Sequence, residues 1–237
     1  MMKLTVLGNR GAYPKAGTAC SGYLLETQKA KIVLDLGAGT LANLLSVCRL
    51  EDVSAIVITH LHWDHFSDMM VLQYALDEKN LTIPVYCPAE PEAHFNLLMG
   101  SSHFELHPIS EGESVTIGDA ALDFSELSHP VKNFGVRVTE GRFVFGYTGD
   151  TAKCDALDKF LEPVQTLLCD TTFFDDVESD KHMSVMQALD VAGKNGVRRL
   201  IMTHFPADAR PQAYLDKARD RFNGRISMTD MMQVIQL

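Results

Sequence analysis

Within six consecutive positions this chain carries His60, His62, Asp64 and His65, in the stretch Thr59-His60-Leu61-His62-Trp63-Asp64-His65. The stretch directly follows an apolar run, Val53 to Ile58, that reads as a buried strand. Histidines crowded at a strand end repel one another when protonated, so their convergence needs a reason. Neutral imidazoles and a carboxylate are ligands that suit zinc and similar divalent ions. A fold that serves this stretch must end a buried strand at an edge where other loops can gather.

A second segment echoes the first. Val53, Ile56, Val57, Ile58, Thr59 and His60 align without gaps on Val197, Leu200, Ile201, Met202, Thr203 and His204. Both read as buried strands delivering a histidine at the carboxyl edge of a sheet. A duplicated ββα half, with two sheets packed face to face and helices outside, accounts for the echo.

The remaining elements fit that plan. Lys3 to Leu7 reads as a strand, followed by a loop from Gly8 to Ala19 whose glycines serve turns; without a G-K-[ST] ending it is no phosphate-cradling loop, though it could border a pocket. Residues 21–26 and 30–36 read as a hairpin, and Thr40 as the N-cap of an amphipathic helix. Met69, Leu72 and Leu76 mark a further helix, Ile83 to Cys87 a strand, and Phe95 to Leu98 another helix. Four short β-like runs between Val115 and Tyr147 predict an antiparallel meander. A helix through Leu157 and Phe160, a strand Gln165 to Cys169, a helix capped by Ser184, a strand Arg198 to Thr203, a helix near Pro211 and a last strand near Gln233 to Leu237 follow. His94, His103 and His107 fall outside any convincing motif, and Trp63 is expected to pack beneath the histidine stretch.

Composition bounds the partners. The 237 residues suit one domain, 1–237, and a formal charge of −10 opposes RNA or DNA unless positive charge is concentrated locally; no basic stripe with interleaved aromatics is present. The five cysteines form no C-x-x-C pair, which argues against a disulfide framework or a thiolate zinc site and for small buried hydrophobes in a reducing compartment. No apolar run has the length of a signal peptide or membrane span, so a cytoplasmic chain with no membrane partner is the default, and a homodimer the commonest assembly.

In order along the chain, Asp35, His60-x-His62-x-Asp64-His65, His129, Asp150 and His204 resemble the motif set of metallo-β-lactamase-fold hydrolases, from Leu34 to His204. The resemblance implies an α/β (α+β) four-layer αββα sandwich holding two metal ions. It implies that His60, His62 and His129 hold one metal and Asp64, His65 and His204 the other, with Asp150 bridging them and Asp35 behind the ligands, orienting the histidine loop. Zinc suits that ligand set, though manganese and iron use similar shells.

Within the superfamily the chain is most similar to the ribonuclease Z-like phosphodiesterase branch. The marks are Asp64-His65, the stretch from Ser128-His129-Pro130 to Gly135-Val136-Arg137, and His182-Met183-Ser184 opening a helix ahead of the His204 strand. Where that ribonuclease has a glutamate this chain has Asp170, the expected partner of His182. No insertion could form the ribonuclease's tRNA-gripping arm, so a small nucleotide or cyclic phosphate is expected ahead of RNA. The resemblance implies in-line attack on phosphorus, with Asp64 hydrogen-bonded to the nucleophile and His182 contacting a phosphoryl oxygen or protonating the leaving alkoxide. Three other readings use the same motif: a lactone or thioester hydrolase, which has no evident need of His182; a diiron redox protein, disfavoured by His62 and the missing flavin domain; and a non-catalytic metal-binding scaffold, disfavoured by the complete ligand set.

Overall fold

The structure, a computed structural model, describes residues 2–237. Two seven-stranded sheets form its centre. The first runs, edge to edge, Val234–Gln236, Lys3–Gly8, Gly22–Glu26, Lys31–Leu36, Ala55–Val57, Ile83–Cys87, Phe104–Pro108. The second runs Arg225–Met228, Arg199–Thr203, Thr166–Asp170, Phe143–Tyr147, Asn133–Glu140, Ala120–Leu127, Ser114–Ile117. Each sheet is antiparallel on one side and parallel on the other: pairing is parallel from Lys31–Leu36 out to Phe104–Pro108, and from Phe143–Tyr147 out to Arg225–Met228. The echo between the two histidine-bearing strands is therefore a real structural correspondence, since both lie in the parallel half of their own sheet.

Strand alternation divides the apolar residues among the layers. Leu34 and Val57 of the first sheet join Phe124, Val136, Phe145 and Ile201 of the second in the core between the sheets. Their neighbours Val33 and Ile56 point the other way, under the helices Thr40–Val47, Met69–Lys79 and Glu92–Met99. On the far side, Leu167, Cys169, Leu200 and Met202 pack under Ala156–Leu161, Val185–Lys194 and Pro211–Ala218. Strands apolar on both faces need cover on both, which makes the arrangement four layers deep. Each fully buried Leu, Val or Phe contributes roughly 1.5–3 kcal/mol to this packing.

Two local expectations change. Gly39, not Thr40, occupies the N-cap of the helix Thr40–Val47, with φ 86°. That left-handed conformation costs a β-branched residue far more than glycine, and Thr40 instead begins the helix, its buried hydroxyl donating to the Gly37 carbonyl at 2.6 Å. The strands Phe104–Pro108 and Arg225–Met228 have no counterpart in the sequence reading; both are edge strands with mostly incomplete burial and so show little apolar alternation. The Ser184 cap is present as a full capping box with Gln187. All five cysteines are free, four of them buried and Cys154 partly so. Among the described residues no helix is long and apolar enough to cross a membrane.

Candidate metal centre

The parallel strands of both sheets carry their carboxyl ends to one edge, and the titratable residues sit there. Asp35 lies near the end of Lys31–Leu36, His60 follows Ala55–Val57, Asp150 follows Phe143–Tyr147, Asp170 ends Thr166–Asp170, and His204 follows Arg199–Thr203. The carboxyl edge of such sheets is where loops converge on ligands. His62 precedes a one-turn helix, Trp63–Phe66, that turns Asp64 and His65 back inward, both buried.

Two groups of potential ligand atoms result, each with its atoms within 4.8 Å of one another: His60, His62, His129 and Asp150, and Asp64, His65, Asp150 and His204. Asp150 belongs to both. Its Oδ2 lies 3.6 Å from Nε2 of His60, and its Oδ1 lies 3.2 Å from Nε2 of His65 and 3.3 Å from Nε2 of His204. One carboxylate oxygen thus faces each group. A third group, Asp150, Asp170, His182 and His204, overlaps the second. There, however, Asp170 is already engaged: Oδ1 accepts from the backbone and hydroxyl of Thr172, and Oδ2 from the Thr151 backbone and from Nδ1 of His182.

The outward nitrogens explain why the inward ones are available. Nδ1 of His65 donates to Asp35 at 2.7 Å, Nδ1 of His129 to the Lys181 carbonyl at 2.8 Å, and Nδ1 of His60 meets the Thr59 hydroxyl at 3.1 Å. Nδ1 of His204 lies 2.8 Å from the Thr172 hydroxyl. A donor proton fixed on one ring nitrogen leaves the lone pair on the other, facing its group. His62 is the exception in orientation, presenting Nδ1 at 3.1 Å from Nε2 of both His60 and His129. Such nitrogen-to-nitrogen approaches suit lone pairs aimed at a common cation. Buried Nε2 of His65 and Oδ1 of Asp150, though 3.2 Å apart, form no well-aligned hydrogen bond with each other or with any other group. Borderline nitrogen donors, carboxylates and two orphaned buried atoms together fit a pair of divalent ions.

Electrostatics divides the rings. Burial, with like charge from neighbouring histidines, holds His60 well below the usual imidazole range and lowers His62 to about 4. Burial likewise lowers His129. Burial would also lower His65 and His204, but carboxylates outweigh it: Asp150, Asp35 and Asp64 raise His65 well above its ordinary value, and Asp150 with Asp64 raises His204 to about 9. Asp150 itself is held well below the carboxylate range, burial being outweighed by His204 and His65. Without metal, protons on His65 and His204 hold the carboxylates together.

A cavity of about 220 Å³ opens onto this edge, lined by His62, Asp64, His129, Asp150, His182 and His204, with Ala12, Pro130 and Lys181 at its margins. His182 is partly buried, and its Nδ1 donates to Asp170 at 2.9 Å. All of the residues singled out from the sequence therefore converge: the seven metal-site candidates, Asp35 and Asp170 behind them, and His182 at the cavity. Trp63 does not pack beneath the histidines. It is 50 % exposed, stacked on Phe66 and tilted against His94, because a first-turn helix residue between inward His62 and inward Asp64 must project outward. His94 supports the loop through a 2.7 Å bond between Nδ1 and the Leu61 carbonyl, while His103 bonds Leu81 and Asp77 away from the site. Supporting hydroxyls of Thr59, Tyr147 and Thr172 were not evident from the sequence, although Thr172, two residues after Asp170, is spaced for an Asp side chain that caps its own turn.

Residues 30–205 match the family model of the beta-lactamase superfamily domain. The chain belongs to that family. Its similarity to the probable metallo-hydrolase YhfI of Bacillus subtilis extends over 96 % of each chain at 28 % identity. The crystal structure of YhfI, described as a metallo-beta-lactamase fold protein, superposes with a TM-score of 0.93 over 99 % of this chain and 98 % of that one, at 27 % identity. Ribonuclease Z of Salinispora arenicola is 25 % identical over 299 aligned positions, covering 98 % of this chain and 95 % of the relative. A diphosphatase from the PhnP family shares the fold, with a TM-score of 0.77 and 17 % identity over 100 % of this chain and 98 % of that one. The two mixed sheets with outer helices are thus the metallo-β-lactamase fold, and the histidine and aspartate groups at their edge fit a binuclear metal site.

Proposed function

We propose that this protein is a metal-dependent hydrolase, and specifically a phosphodiesterase for small nucleotide or cyclic phosphate substrates. The observation that carries the reading is the His182–Asp170 pair beside the two ligand groups. With Nδ1 of His182 committed to a buried carboxylate, Nε2 is the nitrogen left for substrate in a cavity that the ligand residues also line. A thioester, whose thiolate leaves without a proton, has no evident use for such a group; a phosphodiester has, since it offers both an alkoxide to protonate and a further charged phosphoryl oxygen to contact, the second of which a lactone lacks.

His60, His62 and His129 would hold one ion, Asp64, His65 and His204 the other, with Asp150 between them. Bound there, a pair of divalent ions, zinc by preference of the donors, supplies a nucleophile of lowered pKa and neutralises charge developing on phosphoryl oxygens. Asp64, which also lines the cavity, holds the attacking water by a hydrogen bond. His182 donates the proton from Nε2 to the leaving oxygen, and the Asp170 carboxylate stabilises the imidazolium that His182 must be beforehand. The relatives' names support the class of reaction: one is called a probable metallo-hydrolase and another a ribonuclease Z. Alignment with the ribonuclease spans 299 positions against the 237 residues here, so that relative carries segments this chain lacks. With a formal charge of −10, the reading favours a small phosphodiester over a structured RNA.

The test is hydrolysis of bis(p-nitrophenyl) phosphate by protein reloaded with zinc or manganese, beside His182→Ala. Metal-dependent turnover that falls about 10²–10⁴-fold in the variant, with metal content unchanged, is expected. Absence of turnover in protein holding two ions, together with rapid cleavage of a lactone or thioester, would overturn the reading.

A further inference from the structure

A broad concavity rich in arginine lies at the opposite end of the sheets from the metal centre. A cavity of about 760 Å³ is lined by Arg142, Arg198, Arg199 and Arg225, together with Glu140 and Gln236. Arg198 and Arg225 also line an adjoining cavity that adds Arg221. The placement follows from topology: Arg199 and Arg225 begin parallel strands, and Arg142 precedes Phe143–Tyr147, so all stand at the amino edge. Arg199 and His204 bracket the same five-residue strand, about 17 Å from end to end.

These guanidinium groups lack the partners that other cations in the chain have. Eleven of the 21 lysines and arginines form ion pairs with carboxylates among the described residues. Arg142, Arg198, Arg199, Arg221 and Arg225 form none, although acidic residues outnumber basic ones 31 to 21. Arg199 is partly buried; its one side-chain bond is to the Gln236 carbonyl, and both burial and the charge of Arg225 disfavour its protonated form. Beside the two arginines, the buried hydroxyl of Ser227 also has no partner. One carboxylate, Glu140, also lines the basin and accepts from the Gln28 backbone; in a chain of net negative charge, four arginines gathered around it in a concavity are costly unless an anion completes the cluster.

We propose that this basin is a binding site for a small anion carrying two or more phosphoryl groups, with Arg142, Arg198, Arg199 and Arg225 as its donors. Planar guanidinium forks match phosphoryl oxygens in bidentate pairs, which a single orthophosphate could offer to only part of such a cluster. The site is separate from the metal centre and does not depend on the reaction proposed there.

Titration of the metal-loaded full chain with ADP, and separately with inorganic pyrophosphate, by calorimetry tests the site. Two variants accompany it: Arg199→Gln with Arg225→Gln, and Arg142→Gln with Arg198→Gln, the second pair exposed and so safe for folding. Binding of both probes that weakens at least tenfold in the variants, with bis(p-nitrophenyl) phosphate turnover unchanged, is expected. Affinity equal to wild type in the exposed-pair variant would place the anion at the metals and overturn the proposal. So would sulfate competing as well as pyrophosphate, or a single-stranded RNA oligomer binding more tightly than ADP, which would make the basin a nucleic-acid surface.

Discussion

The carboxylate of Asp35 accepts a 2.7 Å hydrogen bond from Nδ1 of His65, and it does so while fully buried and in a left-handed backbone conformation, φ 57°. The same carboxylate accepts from the backbone and hydroxyl of Thr59 and from the Tyr147 hydroxyl at 2.7 Å. Four donors thus meet at one side chain, and through Thr59 it also fixes His60. Replacing it with Asn would turn an amide N–H toward donors that it cannot accept from. Asp35→Asn should lose about 3–5 kcal/mol of stability, the range for breaking a buried charged pair, and bind metal about 10–100-fold more weakly. Urea denaturation and chelator competition measure both; a variant as stable as wild type would show that Asp35 does not organise the loop.

Gly11 makes room for His204. A Cβ built on Gly11 would lie 2.0 Å from Nε2 and Cε1 of that ring, closer than any real contact. The loop is held there by the parallel pairing of Arg10 and Gly11 with Phe205 and Pro206. Gly11→Ala should displace His204 and lower metal content from two ions toward one, while circular dichroism shows the sheets retained. Two ions bound at wild-type affinity would contradict this account.

With the ligands proposed above, metal and protons would compete for the same atoms, which sets opposite pH responses for the two forms. In the metal-free protein His204 is raised to about 9 from an ordinary 6.5, so its contribution to stability is complete below 6.5 and is lost as pH rises through 9. His62, lowered to about 4, contributes in the other direction: its share is lost as pH falls from 6.5 through 4. A metal ion held by His204 would take the place of its proton, so the alkaline loss should disappear in the loaded protein, while acid should strip the metal. Melting temperatures of chelated and zinc-loaded protein from pH 4 to 9 check this. Parallel curves above pH 6.5 would mean that His204 carries no proton that metal displaces.

Sequence carried the chemistry of the edge further than it carried the support. His60, His62, Asp64 and His65 are dense and follow an apolar run, so their convergence was legible locally, and the gap-free echo of Val53–His60 in Val197–His204 gave the second strand. His129, Asp150 and His182 stand alone in sequence and become informative only as a motif set. Thr59, Tyr147 and Thr172 were invisible because a single hydroxyl at a strand end is ordinary; what distinguishes each is a partner far along the chain, such as Asp35 for Tyr147, 112 residues away. Trp63 misled because hydrophobicity says nothing about direction: the turn Trp63–Phe66 must aim Asp64 and His65 inward, and Trp63 is left to face out. Edge strands escaped for a similar reason, since Arg225–Met228 is nowhere fully buried.

Asp170 offers the sharpest separation of positioning from binding. Its Oδ2 accepts from His182 at 2.9 Å, and its Oδ1 is held by the backbone and hydroxyl of Thr172, which also reaches Nδ1 of His204. In Asp170→Asn the amide keeps nearly the same shape but no longer stabilises a protonated His182. On the role proposed for His182, transfer of its proton to the leaving oxygen should then be slower. Turnover of a phosphodiester with an alkyl leaving group should fall about 10²-fold at neutral pH, and that of bis(p-nitrophenyl) phosphate by less. A nitrophenolate leaves readily without a proton, so a substrate with an alkyl leaving group should suffer the larger loss. If both substrates lost rate equally, Asp170 would be holding the loop in place and His182 would not be the proton donor.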